Sequence, residues 1–422
     1  MSFSSLGLCT ALLKAISEQG YTTPSPIQQK AIPAILDLND VMAVAQTGTG
    51  KTAGFTMPVI QRLSGGSQAQ ANHVRALIIA PTRELAAQVA KSVENYSSHM
   101  NLSSAAVFGG VRIEPQIAAL QTGLDILVAT PGRLIDLYNQ NAINFAQLEV
   151  LVLDEADRML DLGFIEDITH IASLLPKKRQ TLMFSATFSE EIKTLASGML
   201  NNPQLVEVTA VNSTVDTIRQ KVYSVDKARK SEMLVHLIKT NNWRQILVFS
   251  RTKKGADELV SQLEHANIPA ASIHANRTQH ARTHALEGFK SDKIKVLVAT
   301  DIASRGIDID QLPCVINYDL PDIAEDYVHR IGRTGRAGTK GLAISLVSTS
   351  EKKQLLAIER MINRTFSQEV IPGFAPTKKA TVVKYDDDEY GNFEADPAPR
   401  RNGKSSGRKS RSNTTSSRKR RK

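Results

Sequence analysis

The chain has 422 residues, enough for two or three domains, and its apolar and charged fractions of 41% and 22% are ordinary for a globular protein. The formal net charge of +10 is concentrated at the C-terminus, because residues 400–422 hold eleven Lys and Arg and no acidic residue. Residues 1–399 then hold 41 basic against 42 acidic residues, so the body is close to neutral. The charge therefore does not indicate a uniformly basic nucleic-acid-binding surface.

Cysteine content argues against a disulfide-bonded or zinc-binding protein, and hydropathy argues against a membrane or secreted protein. The two cysteines, Cys9 and Cys314, are far apart and lack the spacing of metal ligands, so we predict neither disulfides nor a zinc site and expect Cys314 to be a buried thiol. No apolar run reaches 18 residues, and no secretory signal pattern opens the chain. We expect a cytoplasmic protein without a membrane segment.

The N-terminal region predicts two helices. Residues 4–19 place Leu8, Leu12 and Ile16 on one helical face, and Gly20 ends that pattern. A second helix is predicted over 26–36, after a proline-rich loop.

Residues 41–52 join an apolar run to a glycine-rich turn that closes with Lys51 and Thr52. Such a turn at a helix N-terminus presents backbone N–H groups to a phosphate, with the lysine reaching the β- and γ-phosphates and the hydroxyl binding Mg²⁺. One departure from the usual pattern is Ala45, where the first glycine of a phosphate loop normally stands. The turn predicts binding of ATP and Mg²⁺ through Gln46, Thr47, Gly48, Thr49, Gly50, Lys51 and Thr52.

Short apolar runs then alternate with helical segments, and each run ends in a polar motif. The runs 76–80, 125–129, 150–153 and 181–184 lead into motifs that begin at Pro81, Thr130, Asp154 and Ser185. This alternation predicts a parallel β/α sheet, whose ligands bind at the carboxyl ends of the strands. The motifs therefore predict one functional edge.

The alternation lapses after residue 207 and then resumes, which predicts two domains. We assign residues 1–207 to the first domain, 208–217 to a linker, 218–365 to the second domain and 366–422 to a disordered tail, acidic and then basic. In the second domain, the runs 246–249, 295–299 and 315–318 again end in polar residues.

Two sets of residues suit ATP hydrolysis. Asp154, directly after a buried strand, is placed to hold Mg²⁺, and its neighbour Glu155 to orient or deprotonate the attacking water. Arg333 and Arg336 lie among glycines at 332, 335 and 338, and their planar guanidinium groups suit phosphate oxygens. If they reach the nucleotide, hydrolysis requires the two domains to close.

These motifs, in this order and spacing, resemble the DEAD-box ATP-dependent RNA helicases of superfamily 2, most closely the bacterial RhlE-type group. The resemblance covers residues 3–365, and Ala45 is the family's own form of the phosphate loop. It implies an α/β fold of two tandem RecA-like domains, each a mostly parallel sheet flanked by helices, followed by a disordered basic tail.

The resemblance also implies roles for single residues. Gln28 reads the adenine edge, Tyr21 packs on the adenine ring and Asp308 contacts the ribose. Ser185 and Thr187 couple hydrolysis to strand separation, with His329 meeting them across the cleft. RNA contacts are expected from Pro81, Thr82, Arg83, Gly109, Gly110, Thr130, Pro131, Gly132, Arg133, Arg251, Gln279, Arg282 and Thr300.

The implied activity is RNA-stimulated hydrolysis of ATP, with local unwinding of short duplexes and no sequence specificity. The implied partners are single-stranded and short duplex RNA, together with proteins of ribosome assembly or RNA decay, and we expect a monomer. Three alternatives stay open at this point: a DNA helicase of the same superfamily, an ATP-gated RNA clamp that unwinds poorly, and an ATPase without nucleic acid. The tail, likewise, has three interpretations: an electrostatic tether for RNA, a solvated extension, or a nuclear-targeting signal.

Overall fold

The structure, a computed structural model, describes residues 2–46, 48–208, 218–241, 243–304, 307, 309, 312–335 and 341–377. Three residues of the predicted site, Thr47, Asp308 and Arg336, lie outside the described residues. So do 209–217 of the predicted linker and 378–422 of the predicted tail. Within the described part, no helix combines the length and the apolar character needed to cross a membrane.

The first sheet contains seven parallel strands among the described residues, in the order β3-β4-β2-β5-β6-β1-β7. They are β1 Val41–Val44, β2 Val74–Ile79, β3 Ser104–Val107, β4 Leu124–Ala129, β5 Val150–Leu153, β6 Gln180–Ser185 and β7 Gln204–Glu207. The helices are α1 Thr10–Glu18, α2 Pro26–Leu36, α3 Lys51–Ser64, α4 Arg83–Tyr96, α5 Glu114–Leu120, α6 Pro131–Asn139, α7 Ala156–Asp161, α8 Ile165–Leu174 and α9 Glu190–Met199.

The second sheet also contains seven parallel strands among the described residues, in the order β10-β11-β9-β12-β13-β8-β14. They are β8 Ile218–Ser224, β9 Ile246–Phe249, β10 Ala270–Ile273, β11 Val296–Ala299, β12 Cys314–Asn317, β13 Gly341–Val347 and β14 Gln368–Glu369. The helices are α10 Lys230–Thr240, α11 Lys253–His265, α12 Gln279–Lys290, α13 Asp301–Ser304, α14 Ala324–Ile331 and α15 Lys352–Met361. Helices flank both sheets, so the predicted fold class is confirmed.

Central strands of both sheets are buried on both faces, which explains why they read as continuous apolar runs. Arg75 in β2 is a buried charged residue among these apolar ones. Its guanidinium is paired with two acids, at 3.0 Å from Asp125 and 2.9 Å from Glu149. A buried charge without such partners would cost several kcal/mol. Cys314 is buried in β12, as expected, and burial raises the pKa of its thiol.

The N-terminal helix differs from its prediction over 4–19. A short 3-10 helix covers Phe3–Leu6, Gly7 takes a left-handed conformation with φ 84°, and α1 begins at Thr10. Gly7 ends the first turn because glycine adopts positive φ without steric cost. The helix predicted over 26–36 is confirmed as α2.

The second domain extends beyond residue 365, so the predicted start of the tail at 366 is wrong for residues 366–377. Phe366 and Phe374 are buried, and β14 pairs with β8. Thr377 donates through its backbone N and its hydroxyl to Asp226, at 2.9 and 2.8 Å. The low average hydropathy of 366–422 concealed two aromatic anchors that hold its first residues.

Candidate functional site

The phosphate loop lies where β1 ends and α3 begins. Gly48 and Gly50 have φ of 76° and 91°, a region that favours glycine, and Gly50 is the N-cap of α3. The Thr49 hydroxyl closes the turn by donating to the Gln46 carbonyl at 2.7 Å. The turn therefore leads into a helix N-terminus, whose free N–H groups and dipole favour an anion.

Lys51 and Asp154 form the buried centre of this edge. Lys51 is 5% exposed, and its Nζ has no hydrogen-bond partner among the described residues. Burial, and then the charge of Glu155, raise the pKa of Asp154 to about 7, while Lys51 acts in the opposite direction. A buried ammonium and a buried carboxylate are both costly without counter-ions.

The residues present fit a Mg²⁺–nucleotide. A phosphate would supply Lys51 with its missing acceptor, and a divalent cation would favour the ionised form of Asp154. One carboxylate and one hydroxyl, from Asp154 and Thr52, are also a typical protein contribution to Mg²⁺, which takes its other ligands from phosphate and water.

Glu155 has φ 52° and ψ 54°, a left-handed conformation that is uncommon for a residue other than glycine. It is the N-cap of α7, and its backbone N donates to Asp154 Oδ1 at 3.0 Å. Such a conformation costs about 1–3 kcal/mol and persists where the surrounding structure imposes it. The two neighbouring carboxylates differ in burial, since Asp154 is buried and Glu155 is partly exposed.

A chain of hydrogen bonds joins Asp157 to the Ser185 segment. Asp157 Oδ2 accepts from the Ala186 N–H at 3.1 Å, and Ser185 Oγ accepts from the Thr187 N–H at 3.2 Å. The Ser185 carbonyl in turn accepts from the Ala45 N–H, at the start of the phosphate loop, at 3.0 Å. Residues 185–187 thus contact both the glycine-rich turn after β1 and the motif that begins at Asp154.

Gln28, near the start of α2, is buried against the phosphate loop. Its Oε1 accepts from the Ser25 N–H at 2.9 Å, and its Nε2 donates to the Gly50 carbonyl at 3.1 Å. A Cβ atom at Gly50 would overlap that amide nitrogen. Tyr21 is 52% exposed in the preceding loop, which leaves its ring open to a ligand.

Most of the predicted RNA-contacting residues line one groove of about 550 Å³. Arg83 packs so closely on Gly110 that a Cβ atom there would overlap its guanidinium, and Arg133 donates to the Val111 carbonyl at 3.0 Å. Arg133 Nη1 is buried without a partner among the described residues. Eight residues of the predicted set line the groove: Pro81, Thr82, Arg83, Gly109, Thr130, Gly132, Arg133 and Arg282.

Residues of α12 reach this groove and contact the first domain. Arg282 Nη2 lies 2.7 Å from Glu84 Oε2, and both side chains are largely buried. Gln279 donates to Glu84 at 2.9 Å and accepts from Arg83 at 3.4 Å. Burial lowers the pKa of Arg282, opposed by the charge of Glu84. The Glu84 carboxylate therefore holds Gln279 and Arg282, the two predicted RNA contacts on α12, beside Arg83.

Arg330 organises the corresponding edge of the second sheet. It is 2% exposed and binds Asp301 through two contacts of 2.5 and 2.7 Å. It also donates to Asn317 at 3.1 Å and to the Asp319 carbonyl at 2.6 Å. Arg333, one turn further, is buried and donates to the Ile307 carbonyl at 3.2 Å. Arg330 thus ties Asp301, next to Thr300, to the helix that precedes Arg333.

Two residues of the predicted set lie apart from these groups. Arg251 lines a different cleft, where its guanidinium faces acidic residues of its own domain. His329 Nδ1 lies 3.8 Å from Asp326 of the same helix, and its contact with Ser185 or Thr187 stays a prediction.

The sequence interpretation missed Glu84, Asp301 and Arg330. Each directly follows a predicted site residue in the sequence: Arg83, Thr300 and His329 respectively. Their roles depend on contacts with residues that are distant in the sequence. Glu84 binds Gln279, 195 residues later, and Asp301 binds Arg330, 29 residues later, and a linear pattern does not display such pairs.

Two family models match the chain. Residues 25–195 match the DEAD/DEAH box helicase model, and residues 229–338 match the helicase conserved C-terminal domain.

Several known proteins are similar over most of the chain. The DEAD-box ATP-dependent RNA helicase RhpA of Helicobacter pylori is 43% identical, over 88% of this chain and 74% of its own. The ATP-dependent RNA helicase RhlB of Pseudomonas syringae is 41% identical, over 88% and 95%. The structure of S. cerevisiae Dbp5 bound to RNA and ADP BeF3 has a TM-score of 0.79 and 30% identity, over 89% and 95%.

Proposed function

Because the chain belongs to the DEAD-box family of ATP-dependent RNA helicases, we propose that it binds RNA without reading its sequence and separates short duplexes as its two domains close on ATP. The proposed RhlE-type subgroup rests on the sequence pattern, since the relatives above carry the names RhpA and RhlB.

The observation that carries the nucleotide site is the buried Lys51 ammonium beside Asp154, without a hydrogen-bond partner among the described residues. We assign Lys51 to the β- and γ-phosphates, and Asp154 and Thr52 to Mg²⁺. Bound there, Mg²⁺ would neutralise charge on the phosphates. Gln28 and Tyr21 are assigned to the adenine and Asp308 to the ribose, with 46–50 cradling the phosphates.

Glu155 is assigned to the attacking water. Glu155 is partly exposed whereas Asp154 is buried, so one carboxylate is available for a proton and the other for a cation. Arg333 and Arg336 are assigned to the charge that develops on the transferred phosphate.

The groove lined by Arg83 and Arg133 is assigned to RNA. Its two acidic residues, Glu84 and Asp136, are paired with Arg282 and Arg133. The threonine, glycine and arginine residues of the lining offer hydroxyl, N–H and guanidinium groups, which suit phosphates and 2′-hydroxyls rather than base edges. Such contacts favour RNA without sequence preference.

Coupling between the two sites is proposed to use two partly buried contacts. Within the first domain, Asp157 holds the Ala186 N–H, so a shift of the nucleotide motif carries the Ser185 segment with it. Within the second domain, the Arg330–Asp301 pair joins the Thr300 turn to the helix before Arg333. Closure would bring His329 to Ser185 and Thr187.

The biological setting is proposed from the family and the tail. A cytoplasmic monomer that remodels RNA in ribosome assembly or RNA decay fits the sequence. The eleven Lys and Arg of 400–422 would tether structured RNA by releasing counter-ions.

A strand-displacement assay tests the proposal. The protein with ATP is expected to release a labelled strand from a short RNA duplex, and Glu155→Gln is the matched control that retains RNA binding but not turnover. ATP hydrolysis and long-lived RNA binding without strand release would instead indicate an RNA clamp.

A further inference from the structure

A cluster of four charged residues lies where β9, β12 and β13 end. It consists of Lys230 at the start of α10, Arg251 after β9, Asp319 after β12 and Glu351 after β13; we call it the Lys230 cluster. The cluster borders a cleft of about 380 Å³ whose rim also carries Lys227, Lys254 and Glu258.

Lys230 and Glu351 form the tight, buried pair of the cluster. Their side chains are 1% and 6% exposed, and Lys230 Nζ lies 2.6 Å from Glu351 Oε2. Lys230 also donates to the Tyr318 carbonyl at 2.6 Å and lies 3.6 Å from Asp319. Burial acts to raise the pKa of Glu351, but Lys230 and Ser348 outweigh it and hold that pKa below its ordinary value.

Arg251 makes longer contacts with the same acids. Its Nη2 lies 3.5 Å from Glu351 and 3.3 Å from the Leu320 carbonyl, and its Nε lies 3.5 Å from Asp322, which is mostly exposed. Its side chain is 36% exposed, whereas its backbone N–H is fixed by Asp319 at 3.0 Å. The backbone is thus held while the guanidinium remains accessible from the cleft.

These distances indicate that Lys230 is the main counter-ion of Glu351, whereas Arg251 contacts it only weakly. A buried carboxylate needs a counter-ion, and Glu351 has two within reach, one at 2.6 Å and one at 3.5 Å. As long as Lys230 satisfies Glu351, the Arg251 guanidinium can turn to an external anion without leaving a buried charge unpaired. Without Lys230, Arg251 would be the nearest cation and would be drawn inward.

We propose that Lys230 is a positioning residue for RNA binding: by serving as the counter-ion of Glu351 and Asp319, it keeps Arg251 available to an RNA phosphate. This rests on the proposed function, RNA binding, and on the RNA contact that the family resemblance implies for Arg251. It adds a residue that lies outside the recognised motifs and acts through another side chain.

The test measures the RNA concentration that gives half-maximal stimulation of ATP hydrolysis, in the full-length protein. Lys230→Met should raise that concentration about tenfold, the loss expected for one charge-assisted contact. Glu351→Gln removes the acid that competes for Arg251, and should not raise it. The rate at saturating RNA and the half-saturating ATP concentration should stay close to the wild-type values.

Two further variants separate positioning from general destabilisation. Lys230→Met/Glu351→Gln removes the buried pair together with the buried acid that competes for Arg251, and leaves only the partly exposed Asp319 of the cluster's acids. It should return half-saturation towards the wild-type value. Lys254→Met removes the same charge from the exposed rim of the same cleft, and should have a smaller effect than Lys230→Met.

Arg251→Gln distinguishes failure of this inference from failure of the proposed function. If Arg251→Gln weakens RNA half-saturation and Lys230→Met does not, the RNA contact stands and the positioning role is overturned. If Arg251→Gln has no effect, both the RNA contact of Arg251 and the positioning role fail. Equal weakening in Lys230→Met, Glu351→Gln and the double variant would also overturn the inference, since it indicates only a structural role.

Discussion

Replacement of Asp154 by asparagine should stabilise the protein in the absence of Mg²⁺ and nucleotide, and should do so increasingly as the pH rises. Burial and the neighbouring Glu155 raise the pKa of Asp154 from an ordinary 3.8 to about 7. The folded chain therefore holds this proton more tightly than the unfolded chain does. Stability is lost as the pH rises from the unfolded pKa to the folded one, and asparagine removes that loss.

The magnitude follows from the two pKa values. The difference between 3.8 and about 7 corresponds to about 4 kcal/mol above pH 7, as an upper bound. Between pH 5 and pH 8, about 2–3 kcal/mol of that penalty develops. For a domain of this size, this corresponds to about 5–10 °C in melting temperature.

Thermal unfolding of wild type and Asp154→Asn, with EDTA and no nucleotide, measures this difference. The advantage of the variant should be larger at pH 8 than at pH 5, because other titrating groups are common to both proteins. Addition of Mg²⁺ and ATP should then stabilise the wild type more than the variant. An advantage that is the same at both pH values would refute the assignment of a raised pKa to Asp154.

Three further predictions concern single side chains, and a fourth concerns the basic tail. Glu155→Gln should retain ATP and RNA binding and lower the hydrolysis rate by about 100-fold or more, measured in steady state with saturating RNA. Lys51→Ala should weaken ATP binding by about tenfold or more, measured at equilibrium, because the phosphates lose a buried ammonium. Glu84→Gln should weaken stimulation by RNA, measured as ATP hydrolysis with and without it, because Arg282 loses its buried carboxylate partner. Deletion of 400–422 should reduce the dependence of RNA affinity on salt, measured from binding at several salt concentrations.

Each of these has a contrary result. Near-normal hydrolysis by Glu155→Gln would remove Glu155 from the attacking water. For Lys51→Ala, the exposed Lys91→Ala is a matched control, and equal effects of the two would contradict a specific phosphate contact. Undiminished stimulation in Glu84→Gln would show that its pair with Arg282 is not needed for stimulation by RNA. An unchanged salt slope after deletion would leave the tail as a solvated extension.

The sequence predicted the strand ends well because buried parallel strands leave a strong local pattern. The runs that lead to Asp154 and Ser185 are continuous and apolar, since both faces of those strands are covered. A polar residue that follows such a run must lie at the carboxyl edge of the sheet. The two sheets, and the position of these polar residues at one edge of each sheet, could be predicted for this reason.

Other features depend on contacts between distant residues and could not be predicted. Arg251 stands at the end of β9, as expected, but its contact with Glu351, 100 residues later, does not show in a linear pattern. Arg330 lies in a recognised motif, yet its partners come from two other strand ends. The segment 366–377 folds because Phe366 and Phe374 find pockets in the second domain, although its average composition resembles that of the tail.

Steady-state ATP hydrolysis, measured alone, with single-stranded RNA and with DNA of the same sequence, tests the central claim most directly. The claim is that RNA binding and ATP hydrolysis are coupled through contacts to phosphates and 2′-hydroxyls. RNA is therefore expected to stimulate hydrolysis strongly and DNA to have little effect. Equal stimulation by DNA, or no stimulation by either, would contradict it.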